Sequence, residues 1–547
     1  MYIGRLSEKV PPVSHDVPLG SPLRPSIFVI ALCALLFGSA QVARAQLPPP
    51  EPLPAEPPPL AAPLPETPPR EEPTPPTPEP PPPPPARATP EPVSPPLATP
   101  PSIAPRPVAP TPPGEPLAGF SDGTPFLRSP DGDFVLFPGG QFQVDRYYFH
   151  SKNKTPNNTY LLRSARVDLG GWVGPWVYFF LSGEFAAGPP AAAAPVAPAN
   201  LSTADEFVAL APWKNLAVLQ VGQFNGPFTL ENRIGSKYTD FMERSITVRA
   251  FGIPDNREMG AMLSGFNEDR VFYYSIGNFN GDGQNFKNAD NHFDWMGRAW
   301  FAPLALAGAG PLHDVEIGAS FWTGERANTL APASQTTQGG FNFLNTAAFT
   351  ATPTGSTTSQ TFQLRQNGRL NAFAVELNAP IAHRLGLRGE FVWRHSPLSE
   401  ESIASNGTGT VVGGADLKGY SLYGQISFWL IGDDRIVGDQ QAVGGLPRFT
   451  KFGVRRIQNG LVLLLRYEHL DETVSEDATA AALNLGNKAI GQTKVDSGEL
   501  GVNYWHSKRF RATFNYVVNH FGGTTPFITT LPSAYEQEFL FRLAIAL

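Results

Sequence analysis

Basic side chains are the groups in this 547-residue chain with the widest chemical scope. Lys237, Arg244, Arg249 and Arg257 fall in one short stretch, with Arg233 just before it and Arg166 further upstream. Guanidinium and ammonium groups at that density can replace the hydration of a small oxyanion such as phosphate, Arg as a planar fork and Lys as a point charge. The ordinary role of any one of them is a solvated position beside an acid, as Glu243 stands next to Arg244. Catalytic spacings are missing: no G-x-S-x-G, H-E-x-x-H or P-loop occurs, and no two histidines lie within ten residues of each other. Asn278-Phe279-Asn280-Gly281-Asp282-Gly283 imitates the start of a calcium loop, but Ala289 stands where the twelfth position needs a bidentate Glu, so a polar turn is expected. We expect no cofactor, no metal and no enzyme activity. A hydrolase built from Ser and His on separate strands would show itself as turnover abolished by one Ser substitution.

Charge and cysteine usage narrow the class further. The chain carries 41 basic and 48 acidic side chains; from residue 118 onward the counts are 34 and 38, a net charge of 34 − 38 = −4. That balance disfavours a nucleic-acid partner and argues against strong phosphate selectivity. The only cysteine, Cys33, lies in the apolar run Ile27 to Phe37, which Arg24 precedes and Ala43-Arg44-Ala45 follows. Residues 1–45 therefore read as a secretory signal peptide cleaved before Gln46, too short to span a bilayer. Loss of that peptide removes the sole thiol, and with it Cys-ligated metals and disulfides. No run of 18 apolar residues follows Gln46, so a helical membrane protein is excluded.

Of the 60 prolines, 34 fall between Pro48 and Leu117, with an unbroken run from Pro80 to Pro85. Such a segment lacks both donors and apolar surface, so residues 46–117 read as a disordered periplasmic linker. At about 3.1 Å per residue it would reach roughly 200 Å. A cell-wall contact arm is the sharper reading of the same composition.

Residues 118–547 carry a rhythm of two. Gln141-Phe142-Gln143-Val144-Asp145 alternates cleanly, and Val177, Phe179, Leu181 and Phe185 alternate with Tyr178, Ser182 and Glu184. In the last segment Tyr535, Phe539, Phe541, Leu543, Ile545 and Leu547 share one parity, while Glu536, Glu538, Arg542 and Ala544 share the other. A soluble sandwich would bury such an apolar face against a second sheet; an outer-membrane barrel points it at lipid. Tight turns alternate with polar loops such as Ala187 to Asp205 and Gly324 to Gln360, and aromatics gather near segment ends at Tyr147-Tyr148-Phe149, Trp172, Trp176 and Tyr504-Trp505, as interfacial girdles would. About 430 residues at about 27 per strand and connection give about 16 strands, enough to enclose a water-filled channel. The expected fold is all-β, a transmembrane antiparallel β-barrel of about 16 strands behind the proline-rich segment.

Leu219 to Gly265 reads LQVGQFNGPFTLENRIGSKYTDFMERSITVRAFGIPDNREMGAMLSG. It resembles the central block of the phosphate-selective porin O and P family, V-G-Q-F-x-x-P-F-[ST]-L-E followed by S-K-Y-x-x-F-M-E-R-S and a G-x-x-L strand. Val221 to Phe224, Pro227 to Glu231, Ser236 to Tyr238 and Phe241 to Ser245 carry the match. Leu430 to Asp433 looks like the family's L-T-G-E, and Leu500 to Trp505 resembles its late L-G-x-N-W-Y strand, which extends the likeness over roughly 134–547.

The resemblance implies a homotrimer of 16-stranded barrels in the outer-membrane lipid, each with a pore narrowed by an inward loop and conducting small anions down their gradient. Arg166, Lys237, Arg244, Arg249 and Arg257 are the expected anion-facing residues, with Arg233 at their margin. Arg163-Ser164-Ala165-Arg166 resembles the family's R-R-A-R, with Ser164 replacing the second arginine. Parity puts Arg166 on the lumen face with Ser164 and Asp168, and Arg163 on the opposite face. The alternative is a surface anchor with a plugged barrel and a wall-gripping proline arm.

Overall fold

The computed structural model describes residues 117–546 apart from 122–123, 154–156, 187–201, 214, 268–270, 309, 328–334, 345–348, 352–359, 405–408, 435–458, 477–490 and 525–530. The expected signal peptide, the proline-rich segment, Leu547 and most of the loop expected at Ala187 to Asp205 lie outside the described residues.

Sixteen strands follow one another round a single wall. They are β1 (Phe134–Ser151), β2 (Thr159–Val173), β3 (Val177–Glu184), β4 (Ser202–Leu210), β5 (Val218–Asn225), β6 (Arg257–Phe266), β7 (Phe272–Phe279) and β8 (Asp294–Phe301). They continue with β9 (Glu316–Ala327), β10 (Gln360–Ile381), β11 (Leu385–Ile403), β12 (Gly409–Ile431), β13 (Gly460–Glu476), β14 (Gly491–Ser507), β15 (Phe510–Gly523) and β16 (Tyr535–Ala546). Each pairs antiparallel with the next. β16 then pairs with β1, setting Arg542 opposite Asp145, and the wall closes. Closure leaves no strand edge to meet hydrocarbon with unpaired backbone groups. Among the described residues no helix is long and apolar enough to cross a membrane. The strand number agrees with the count expected from chain length, and the closed antiparallel barrel with the alternation of the strands.

Alternation decides which side chain meets which medium. On β16, Tyr535, Leu543 and Ile545 are exposed on the outer face, whereas Glu536, Glu538, Arg542 and Ala544 are buried inside, as the parity of the last segment requires. Leu465 and Leu500 stand outside on β13 and β14, and their neighbours Arg466 and Glu499 are buried inside. The expected aromatic girdles need correction for the same reason. Tyr148 is exposed on the outer face, but Tyr147 and Phe149 beside it are buried, as is Trp505 next to the outward Tyr504. Adjacent residues of a strand cannot share a face, so a run of aromatics supplies the girdle with only half its members.

Tight turns at 174–176, 382–384 and 508–509 lie at one end of the barrel, and most longer connections lie at the other. The 302–315 connection between β8 and β9 and the 432–459 connection between β12 and β13 are the long exceptions at the turn end. Two expected loops are shorter than read: β4 begins at Ser202, and β9 runs on to Ala327. Within the β9–β10 connection a small hairpin pairs Gln335–Thr336 with Asn342–Leu344.

Candidate functional site

The connection between β5 and β6, residues 226–256, turns into the lumen. Its first helix, α1 (Leu230–Arg233), is one turn long and is capped by Thr229, whose side chain accepts from Asn232 N–H. So short a helix has little stability of its own, and the wall supplies the rest. Glu390 on β11 accepts from Leu230 N–H at 2.7 Å and Glu231 N–H at 2.9 Å, and Ser320 on β9 accepts from Thr229 N–H at 3.1 Å. The second helix, α2 (Ile246–Phe251), is capped by Ser245, and its Ile246 N–H donates to Glu468 on β13 at 3.0 Å. Both helix starts thus present free N–H groups to a wall carboxylate, the arrangement their dipoles favour.

Between the helices the loop is tied to almost every strand it passes. Asp240 accepts from Arg388 on β11 at 2.8 Å and from Gln425 on β12. Asn503 on β14 donates to the Asp240 carbonyl at 2.7 Å, and Met242 N–H donates to Asn515 on β15 at 2.9 Å. Arg542 forks onto Asp145 at 2.7 Å through two nitrogens and reaches Glu243 at 3.0 Å. Arg163 on β2 forks onto the same Glu243 at 2.9 and 3.1 Å. Burial pushes the Glu243 pKa up, but the guanidinium groups of Arg163 and Arg542 outweigh it and hold the carboxyl at about 2.

A second insertion lies beside α2. In the hairpin, Gln335 donates to Glu472 on β13 at 2.8 Å, Gly339 N–H donates to Glu538 on β16 at 2.7 Å, and the Thr336 carbonyl accepts from Arg249 of α2. The rings of Phe341 and Phe343 lie 5.4 and 5.9 Å from that of Phe521 on β15. With Phe228, Phe251 and Trp322 they form a buried apolar cluster inside the barrel. Water access differs round the wall accordingly: the side chains of Arg163 on β2 and Arg257 on β6 are 25% and 13% exposed, whereas Arg298 on β8 and Arg466 on β13 are at 0%.

The expected anion-facing residues divide into two groups. Arg166 faces the lumen as its parity requires, 3.2 Å from Glu184, whose carboxylate also accepts from Ser164 at 2.6 Å. Arg257 forks onto Asp205 at 3.0 and 2.9 Å. Among the described residues Arg244 forms no ion pair with a carboxylate; it donates to the carbonyls of Glu231 at 3.0 Å and Ile234 at 2.8 Å. Burial lowers the Arg244 pKa to about 10, Arg257 and Arg163 add repulsion, and Glu231 and Glu243 oppose them. Arg257 also repels Arg166, so Arg166, Arg244 and Arg257 form one electrostatic cluster with Arg163. Among the described residues Lys237 does not touch this cluster, and Arg249 reaches it only through the Arg244 carbonyl. Lys237 lies over the Tyr238 ring at 5.6 Å, and Arg249 donates to the Arg244 carbonyl at 2.8 Å and to the hairpin. Arg233 donates to the Asn225 carbonyl.

Two readings are corrected. Arg163 turns inward although its parity is that of the lipid face, because β2 carries an extra residue opposite Gln143 and Val144. Glu243 pairs with Arg163 and Arg542, not with its neighbour Arg244. Asn280 to Gly283 forms a polar turn in which Asp282 accepts from Ala289 N–H at 2.8 Å, and Gly281 and Gly283 N–H donate to Glu258. Among the described residues no group of three or more His, Cys, Asp or Glu is arranged to hold a metal ion.

Three solved structures are similar to the chain. The outer-membrane-expressed OmpT of Vibrio cholerae is 12% identical, with 77% of this chain and 100% of that one covered at a TM-score of 0.43. The outer-membrane channel DcaP of Acinetobacter baumannii is 10% identical, with 77% and 99% covered at 0.43. OmpF of Salmonella typhi, in complex with daunomycin, is 11% identical, with 79% and 100% covered at 0.42. No curated protein matches the chain. The family model for phosphate-selective porin O and P matches residues 138–526, from the first strand of the barrel to the connection before the last. The chain therefore belongs to the phosphate-selective porin O and P family and is an outer-membrane channel protein.

Proposed function

We propose that this channel passes small solutes by passive diffusion through an aperture between the 226–256 loop and the β1–β6 wall, and that the aperture favours small anions, phosphate among them. The observation that carries this reading is the Arg244 guanidinium, met by carbonyls instead of acids and coupled to Arg257 and Arg163. A permeant anion shedding water there finds fixed donors that a cation does not. Arg166 and Arg257, already engaged by Glu184 and Asp205, add a weaker bias, which suits a general anion preference better than strict phosphate selection. The zero-current potential across a planar bilayer with a KCl gradient tests the reading. A potential of the sign set by chloride supports it, and one of the sign set by potassium overturns it.

The remaining parts of the reading concern assembly and export. The protein is a homotrimer with its apolar outer face in outer-membrane lipid. Residues 1–45 are a signal peptide, 46–117 a periplasmic linker that can touch the cell wall, and 118–547 the barrel. β1 starts and β16 ends at the turn end, which suits a linker on the periplasmic side.

The buried cluster around Phe341 and Phe343 favours a second reading, a plugged barrel that serves as an anchor. Swelling of protein-loaded liposomes in small sugars separates the two, since a plugged barrel admits none.

A further inference from the structure

Arg466 on β13 touches both the wall and the loop, and it does so on either side of Arg244. On the wall its Nε lies 2.8 Å from Glu468 and its Nη2 2.8 Å from Glu499. Toward the loop its Nη1 donates to Glu231 at 3.2 Å, and its Nη2 donates to the Glu243 carbonyl at 3.3 Å. The Phe241 ring covers the guanidinium, 4.3 Å from its carbon. Glu231 in turn accepts from Ser245 N–H at 2.7 Å, and its own carbonyl accepts from Arg244 Nε at 3.0 Å. Arg466 therefore fixes Glu243 directly and Ser245 through Glu231, the two neighbours of Arg244 in the chain.

We propose that Arg466 is the positioning residue of the aperture, holding the backbone on both sides of Arg244 so that its guanidinium stays aimed at the passing ion. The proposal rests on the anion-favouring aperture described above. Its side chain is fully buried, so it offers no charge to a permeant ion and acts only through the loop. Glu468 and Glu499 flank it on the wall. The bonds to Glu231 and to the Glu243 carbonyl couple wall to loop, and Glu468 also holds the start of α2. Lysine in its place keeps the charge, but one ammonium cannot reach two wall acids, a loop acid and a loop carbonyl in the geometry a planar fork allows.

The test uses the full-length protein in planar bilayers with Arg466→Lys and, because a wall substitution can impair folding, Glu231→Gln, which leaves the wall intact. Both variants are expected to add sub-state transitions to the open-channel current and to lower the anion-to-cation permeability ratio about two- to threefold. Arg244→Ala is expected to lower the ratio without the transitions. In the Arg244→Ala background, Arg466→Lys is expected to lower the ratio no further, the non-additivity of residues acting in series. A full additional fall in the double variant overturns the proposal, as does a quiet, wild-type current in both Arg466→Lys and Glu231→Gln. If the wild-type channel shows no anion preference, the functional reading fails, while the sub-state transitions still report on the clamp.

Discussion

Arg163 on β2 and Glu243 in the inward loop stand 80 residues apart in the chain and 2.9 Å apart in the lumen, and one supernumerary residue in β2 makes the contact possible. Without that bulge the alternation of the strand would carry Arg163 to the lipid face, where a guanidinium near mid-bilayer costs about 2–4 kcal/mol. With it, Arg163 and Arg542 hold one carboxylate from two strands and tie the loop to the seam where the barrel closes.

Arg163→Met removes one of these two holds. Because the Arg163 side chain is a quarter exposed, the loss of stability is expected to be modest, about 1 kcal/mol. The larger effect is expected in the zero-current potential, which moves toward potassium as Glu243 loses a counter-charge beside the aperture. An unchanged potential would place the pair off the ion path.

Alanine substitutions at the five expected anion-facing residues should separate by position. Arg166→Ala, Arg244→Ala and Arg257→Ala are expected to shift the zero-current potential toward potassium, Arg244→Ala most, since among the described residues it forms no ion pair with a carboxylate. Lys237→Ala and Arg249→Ala are expected to shift it less. Equal shifts at all five would mean that overall lumen charge, not the cluster, sets selectivity.

Acid should release the loop late. The Glu243 pKa is depressed to about 2 from an ordinary 4.5, so its contribution is fully present above pH 4.5 and is lost as the pH falls from there through 2. Thermal unfolding of wild type and Glu243→Gln in detergent is expected to differ most near neutral pH and to converge toward pH 2. A gap of constant size across that range would contradict the assignment.

The hairpin offers a structural counterpart. Phe343 is almost fully buried, and Phe343→Ala leaves a cavity among Phe521 and its neighbours costing about 3–5 kcal/mol of local packing. Single-channel conductance is expected to rise as the hairpin loosens, with the barrel still formed by circular dichroism. A fall in conductance would mean that the hairpin props the passage open.

Strand parity is written directly into the chain, because lipid and water select opposite side chains at every second position. That is why the faces of β16 and the inward position of Arg166 were legible, while the count of about sixteen strands came from chain length. The likeness between Leu219 and Gly265 marked the stretch that carries Lys237, Arg244 and Arg249, but not that it turns inward. Arg163 was misplaced because a bulge shifts parity by one residue and leaves no compositional trace. The inserted hairpin went unread because its few large apolar residues, Phe341, Phe343 and Leu344, sit in a connection that is otherwise mostly polar and small, and its fold depends on Glu472, Glu538 and Phe521 from strands more than a hundred residues later. The partners of Glu243 were hidden for the same reason, since proximity in sequence favoured Arg244 while the closed wall brought up Arg163 and Arg542.

The most direct test uses the chain's single native cysteine, Cys33, which lies in the expected signal peptide, so an engineered cysteine reports alone. Single-channel current is recorded while charged thiol reagents are added to Arg244→Cys and, as an outer-face control, to Leu465→Cys. Stepwise loss of current at Arg244→Cys, faster with an anionic than with a cationic reagent, and no change at Leu465→Cys is the expected result. Loss of current at Leu465→Cys with none at Arg244→Cys would contradict a path that runs past the loop inside the barrel.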